Sequence, residues 1–375
     1  MTSPTPLDST PTLRYAIIGA AAGIAPNHIQ ALSHLPETRI AGMSDINAER
    51  GAERAAAVGC PFFVDHRELL DSVRPDVAVI CTPHPLHAPL ALDCFAAGAH
   101  VLTEKPLAVE VAEADAMIAA AAYAQRLLAV NFQQRFRPVI EYMRRFIMEG
   151  ELGAMVRVLC VEPWLRTDAY YRSAAWRSTW RGEGGGVLMN QAPHTLDLLC
   201  HLTGVPYKVW GWTRTLGHPI ESEDTAQAML EYLSGAPGYL HINTVEAGTQ
   251  QHLQIIGDRA ALELSGDQLT VTRFAEPLNE YRATNPNFFD VPGMTSETLV
   301  LPEGDGGGHL AVHRDLLAAI REGRAPRCDG REARMSLELA NAIILSSFEE
   351  RAVTLPLDRA AYSTLLTGLR AGTRR

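Results

Sequence analysis

A short apolar run, a glycine- or proline-marked turn and a helical-period segment recur in that order through the first third of the chain, and this limits the fold more than any other feature. Leu13 to Ile18 runs into Gly19-Ala20-Ala21-Ala22-Gly23-Ile24-Ala25, after which His28, Ile29, Ala31 and Leu32 fall at helical spacing. Arg39 to Met43, Asp76 to Cys81, Val101 to Thr103 and Leu127 to Phe132 repeat the apolar run. Between them lie helical segments closing at Glu68 to Ser72, at about Pro89 to Ala97 and, rich in alanine, at Ala108 to Arg126. Strands that alternate with helices cannot pair as hairpins, so they predict a parallel, doubly wound sheet. In such sheets ligands bind outside the carboxyl ends of the strands. The chemistry is therefore expected just after each run: the Gly19 turn, Ser44-Asp45, Thr82-Pro83-His84-Pro85-Leu86-His87 and Glu104-Lys105-Pro106.

Strand, glycine turn and helix in succession suit a dinucleotide, because backbone N–H groups at the helix start meet a pyrophosphate. Gly19, Gly23 and Ile24 line that turn, with Ala21 where a middle glycine is expected. Asp45 stands near the spacing of the carboxylate that binds the adenosine ribose, although it also reads as an N-cap for the segment from Ala48. An acid there repels a 2′-phosphate and no arginine follows directly, so NAD is expected over NADP. Lys105 is followed by Pro106, which keeps it out of the helical region at the strand end. It is either a surface turn lysine or a cation aimed at the crevice.

From Met155 the pattern changes. Met155 to Pro163, Tyr207 to Thr215, Thr225 to Leu233, Gly238 to Glu246, His252 to Ile256, Ala261 to Ser265 and Gln268 to Thr272 read as short strands with few helices between. Turn signals at Ser234-Gly235 and Gly257-Asp258 suit an antiparallel sheet. Helices at Val139 to Glu149, Ala192 to Leu202, His309 to Glu322 and Arg331 to Ala352 are expected to flank it, and Phe274 to Gly308 reads as a mobile loop bordering the pocket. The domains are thus 13–133, an α/β Rossmann unit, and 134–375, an α+β unit, after a floppy tail at 1–12.

Trp164 to Arg181 interleaves aromatic and arginine residues. Tyr171, Trp176 and Arg177 are candidates for stacking on and hydrogen-bonding to a sugar ring; base binding and simple packing compete with that reading. Gly184-Gly185-Gly186 offers side-chain-free backbone for close approach. His194 follows Pro193 in the first turn of a helix among leucines, where a satisfied core histidine is the usual finding.

Composition closes off other classes. With 375 residues, two domains are expected, and a net charge of -10 without a basic patch argues against nucleic acid. Six scattered cysteines without CxxC spacing read as reduced thiols, so neither a disulfide frame nor a metal site is expected. No apolar run approaches a membrane span, and the first residues lack the basic start and apolar core of a signal peptide, so a cytoplasmic protein is expected.

Together, the glycine turn, Asp45, Thr82-Pro83 with His87 and Glu104-Lys105-Pro106 resemble the glucose–fructose oxidoreductase/inositol dehydrogenase/rhizopine-catabolism (Gfo/Idh/MocA) oxidoreductases. Asn131-Phe132-Gln133-Gln134-Arg135-Phe136 resembles that family's junction, Gly150-Glu151-Leu152-Gly153 its second-domain entry, and Gly184-Gly185-Gly186 through Asn190 and His194 to Asp197 its substrate-side helix. The resemblance implies an NAD(P)-dependent dehydrogenase for a secondary alcohol of a sugar, cyclitol or polyol. Lys105 would contact the substrate hydroxyl and the nicotinamide ribose, and His194 would accept or relay the proton. Thr82, Pro83, His87 and Glu104 would line the cofactor. Many members carry aspartate where this chain has Asn190; the missing carboxylate would then come from Asp197 or Glu104. The resemblance also implies a homodimer or homotetramer. An NAD-using glycosidase on the same fold and a non-enzymatic NAD or sugar sensor are the alternatives.

Overall fold

The computed structural model describes residues 12–301 and 308–374; most of the expected tail lies outside them. The described residues form two compact units. The first holds the chain up to Glu104 together with Ala116–Asn131 and Gly308–Gly330. The second takes Lys105–Asp115, the stretch from Phe132 and everything from Arg331.

In chain order the structure begins β1 (Leu13–Ile18), α1 (Ala25–Ser33), β2 (Thr38–Ser44), α2 (Ala48–Val58), β3 (Phe62–Phe63), α3 (His66–Val73), β4 (Val77–Ile80), α4 (His87–Ala96), β5 (His100–Thr103), α5 (Val111–Tyr123) and β6 (Leu128–Val130). The six strands make one parallel sheet in the order β3-β2-β1-β4-β5-β6. Every residue of β4 is buried, as a strand covered on both faces requires. The strand order reverses between β1 and β4, so Gly19 and Thr82 flank the switch point where an open α/β sheet binds its ligand.

The chain continues through α6 (Pro138–Met148), β7 (Met155–Pro163), α7 (Asp168–Arg172), α8 (Val187–Asn190), α9 (Pro193–Thr203), β8 (Lys208–Arg214), β9 (Thr225–Glu231), β10 (Pro237–Asn243), β11 (His252–Gly257), β12 (Ala260–Ser265), β13 (Gln268–Phe274), α10 (Leu278–Thr284), β14 (Met294–Val300), α11 (Gly308–Glu322), α12 (Gly330–Glu349), β15 (Val353–Thr354) and α13 (Arg359–Arg370). The second sheet has nine strands in the order β14-β13-β12-β11-β7-β10-β9-β8-β15, antiparallel except for the β7–β10 pair.

Two expectations need correction, and one helix was not expected. The presumed loop from Phe274 contains α10 and β14, while 302–307 lie outside the described residues. β14 is an edge strand with almost every residue exposed, so no apolar alternation marks it; its backbone pairing with β13 does. α11 packs on α1 in the first unit and does not flank the second sheet. Finally, α13 was legible but unread: Asp358 accepts from Ala361 N–H as its N-cap, and Tyr362, Leu365, Leu366 and Leu369 form its buried face.

Candidate active site

The Gly19 turn is built for close backbone approach. Gly19 has φ +91°, and a Cβ there would lie 2.9 Å from the Cys81 carbonyl carbon. Asp45 braces the turn: its Oδ2 accepts from Ala21 N–H at 2.7 Å and its Oδ1 from Asn47 N–H at 2.8 Å. It does not cap α2; Asn47 does, accepting from Arg50 N–H. Arg54 donates to the Ala20 and Ala22 carbonyls, tying α2 to the same turn.

These residues fit a dinucleotide. Helix α1 opens at Ile24 with no side-chain cap, but its Ala25 and Asn27 N–H groups turn back onto the Ala22 and Ile24 carbonyls and Pro26 carries none, so the turn before it carries the fit. Thr82 Oγ1 is buried beside Gly19 without a hydrogen-bond partner among the described residues. Asp45 is only part-buried and each carboxylate oxygen keeps a lone pair for a ribose hydroxyl. Asp45→Ala removes both a ribose acceptor and the turn's brace, and is expected to weaken NAD binding by about tenfold to a hundredfold, since hydrogen bonds to charged groups contribute roughly 1.5–3 kcal/mol. Fluorescence titration with NADH measures this, and an unchanged affinity would discard the assignment.

Two cofactor assignments change. His87 is fully buried, its Nε2 2.9 Å from the Thr82 carbonyl oxygen, so it shapes the loop after β4 from within. Glu104 turns its carboxylate into the first unit: Oε1 is 2.8 Å from His28 Nε2 and accepts from Asn131 Nδ2 at 2.7 Å. Burial opposes its ionisation, yet the His28 and His309 imidazoles hold it well below the usual carboxylate range. The sequence shows no ligand-spaced cluster, whereas the fold brings His28, Glu104 and His309 within ligating reach of one another.

In the second unit, Lys105 donates from Nζ to the backbone carbonyl of Asn190 at 2.7 Å. The glycine run allows this contact. Gly184, at φ +78°, lies so close to the segment after Lys105 that a Cβ would fall 2.0 Å from Val109 Cγ1. Gly186 is as tight, with an imagined Cβ 1.9 Å from the Glu223 carbonyl oxygen. Glu223 locks the turn that follows, its Oε1 accepting from Gly186 N–H at 2.9 Å and Leu188 N–H at 3.1 Å. His194 is half-buried in the first turn of α9, edge-on to Phe132 at 5.8 Å between ring centroids.

The carboxylate beside Asn190 is neither Asp197 nor Glu104. Asp197 is buried in a bidentate pair with Arg135, at 2.8 and 2.6 Å. The group that reaches Asn190 is Glu183, fully buried, which accepts from Asn190 Nδ2 and from Ser178 N–H. Burial raises its carboxyl, opposed by these hydrogen bonds and by the charges of Arg177 and Lys105. Sequence reading missed it, although its place directly before the three glycines was the available signal.

The aromatic–arginine stretch divides. Tyr171 is buried, its hydroxyl 2.7 Å from Thr244 Oγ1, and belongs to the packing. Its neighbour Tyr170 is the one that reaches Asn190: its hydroxyl donates to Asn190 Oδ1 at 3.3 Å and accepts from Arg177 Nη1 at 2.8 Å and Gln191 Nε2 at 3.2 Å. The Arg177 guanidinium lies 4.4 Å over the Tyr170 ring and 4.9 Å over that of Trp176. Arg177 and Trp176 therefore stand with the Asn190 network, and Tyr171 does not. An adjacent pair of tyrosines in a helix points in two directions about 100° apart, so the choice between them needed coordinates.

Glu162 on β7 is another buried acid, accepting at 3.0 Å from Oγ1 of Thr195, the residue after His194. Burial pushes its carboxyl up to about 7. A raised carboxyl keeps its proton in the folded state where the unfolded chain has lost it, so stability falls as pH rises from the ordinary value toward 7. The full effect is about 3 kcal/mol. Glu162→Gln should flatten that fall in denaturant titrations at pH 5 and 8; Glu223, also pushed to about 7, keeps its own share. Equal slopes in variant and wild type would mean Glu162 is already ionised at the acid end.

Residues 13–132 match the model of an oxidoreductase family with an NAD-binding Rossmann fold, and residues 140–263 match the GFO/IDH/MocA C-terminal domain. The UDP-N-acetylglucosamine 3-dehydrogenase of Acidithiobacillus ferrooxidans is 32% identical over 81% of this chain and 88% of its own. The myo-inositol 2-dehydrogenase of Thermotoga maritima is 23% identical over 92% of this chain and 98% of its own. Among solved structures, the WlbA dehydrogenase of Chromobacterium violaceum, in complex with NADH and UDP-GlcNAcA, superposes with a TM-score of 0.82 at 29% identity, covering 96% of this chain and 100% of that one.

Proposed function

The chain belongs to the Gfo/Idh/MocA oxidoreductases, and on that footing we propose that it oxidises a secondary alcohol of a sugar, cyclitol or related polyol with NAD, or catalyses the reverse reduction. The observation that carries this reading is the Lys105 ammonium held on the Asn190 carbonyl, one turn before His194. NAD, when bound, supplies the hydride acceptor.

The protein's own groups manage charge and protons. Lys105 donates a hydrogen bond to the carbinol oxygen as negative charge develops on it, the stage at which a fixed donor contributes most. His194 takes the hydroxyl proton. Asn190 carries no proton itself; its amide is oriented by Glu183 on one side and Tyr170 on the other. Arg177 and the Trp176 ring provide stacking and donor groups suited to a polyhydroxylated ring. A panel of sugars and polyols with NAD and NADP, followed at the nicotinamide absorbance, tests the proposal. Net NADH formation supports it, and a product released without net NADH would favour transient cofactor use, as in a glycosidase.

Glu183 adds a pH signature. Its ionised form accepts from Asn190 Nδ2 and faces the Lys105 charge, so activity should fall as pH drops through its raised carboxyl value. The acid limb of kcat/KM is expected above the ordinary carboxylate range in wild type and absent in Glu183→Gln. An identical limb in both would remove Glu183 from this role.

We also place the protein in the cytoplasm as a homo-oligomer. Five of its six free cysteines are buried thiols, as in a reducing compartment, and no helix among the described residues is long and apolar enough to cross a membrane. One face of the nine-stranded sheet leaves Trp210, Trp212 and Met229 exposed, with Trp210 directly opposite Met229. Contiguous exposed aromatics of this kind suit a second copy of the chain. Sedimentation of wild type against Trp210→Asp checks it.

A further inference from the structure

We propose that His28, Glu104 and His309 form a binding site for a zinc-class divalent cation within the first unit. The three side chains come from α1, the residue after β5, and α11, and one ligating atom from each lies within 4.8 Å of the other two. Two imidazole nitrogens and a carboxylate oxygen are a donor set that Zn²⁺ accepts with a fourth position left to water. Asn131 and His313 complete the surroundings a bound metal needs, because ligating groups are themselves held by hydrogen bonds.

One distance in the cluster is a hydrogen bond, and another is a gap of the kind a cation fills. His309 Nε2 lies 3.6 Å from Glu104 Oε1, too far for a hydrogen bond, and is buried without a hydrogen-bond partner among the described residues. Two ligands of a tetrahedral ion with bonds near 2.0 Å are about 3.3 Å apart, close to that separation. His28 Nε2 is nearer to the same oxygen, at 2.8 Å, and needs to open by a few tenths of an ångström.

His313 is fully buried, with its Nε2 3.0 Å from His28 Nδ1. A ligating His28 would donate from Nδ1 to His313 and turn its Nε2 lone pair to the ion. Asn131 Nδ2 keeps the carboxylate oriented. The His309 side chain, 13% exposed, is the part of the cluster nearest solvent.

Cobalt(II) reports the geometry directly. Chelator-treated full-length protein titrated with Co²⁺ is expected to develop visible ligand-field bands that saturate at one ion per chain and vanish when Zn²⁺ is added. His309→Ala, a truncation at the start of a helix, should weaken binding at least about tenfold. His28→Gln should abolish the bands, and His34→Ala, at an exposed histidine capping the far end of α1, should leave them unchanged. No saturable band, or bands of wild-type affinity in His309→Ala, would overturn the site. If His28→Gln does not fold, His309→Ala decides alone.

Discussion

Lys105→Ala is expected to lower kcat/KM by about a thousandfold while leaving NADH affinity nearly unchanged, because it deletes a donor aimed at charge that exists only in the transition state. The asymmetry follows from where the lysine is anchored. Its ammonium is held by the Asn190 carbonyl within the second unit, whereas the turn, the brace and the orphaned threonine that suit the dinucleotide all belong to the first. Lys105→Arg is a sharper probe. It keeps the charge but replaces a compact ammonium with a planar fork that cannot occupy the same point on the Asn190 carbonyl, so most of the loss should persist. Steady-state rates and NADH titrations on the same preparations separate the two effects. Full turnover in Lys105→Ala would end the mechanism proposed here.

Arg135→Met is expected to destabilise the protein by about 3–5 kcal/mol, the cost of stranding a buried carboxylate without its partner. Arg135 is only 1% exposed, pairs with Asp197 through two nitrogens, and reaches Glu332 on α12 with a third. Burial raises the Asp197 carboxyl even with the arginine present, opposed by that arginine's charge, so in the variant the acid must take up a proton or leave the core. Glu332 is held at about 2 by His201 and Arg135, against its own partial burial. Asp197 stands on α9, the helix that presents His194, so the variant should also lose activity before it unfolds. A double variant, Arg135→Met with Asp197→Leu, should recover most of the stability, because an apolar pair of similar volume needs no charge compensation. Denaturant midpoints of the three proteins test this. A double variant no more stable than the single one would mean that the pair's role is not mutual neutralisation.

The parallel sheet was legible because its strands are locally marked. The run Val77–Ile80 is apolar throughout, and Gly19 and Pro106 punctuate strand ends in any context. The two-residue β15 and the exposed β14 were not legible, since their identity rests on pairing with β8 and β13 rather than on their own pattern. Lys105, Asn190 and His194 could be named from their motifs. Glu183 could not be separated from other acids until its carboxylate was seen on the Asn190 amide.

Short-range physics therefore settled the strand–turn–helix repeat, the antiparallel second half and the positions after each strand where chemistry belongs. Whether a side chain faces the site or the core was decided only by packing. Tyr170 and Tyr171 are neighbours with opposite duties. Glu104 sits beside Lys105 in the chain, yet its carboxylate serves a histidine cluster assembled from α1 and α11. Turn chemistry is carried by adjacent residues, whereas a buried charge must find its partner wherever the fold brings one, and that partner can lie hundreds of residues away.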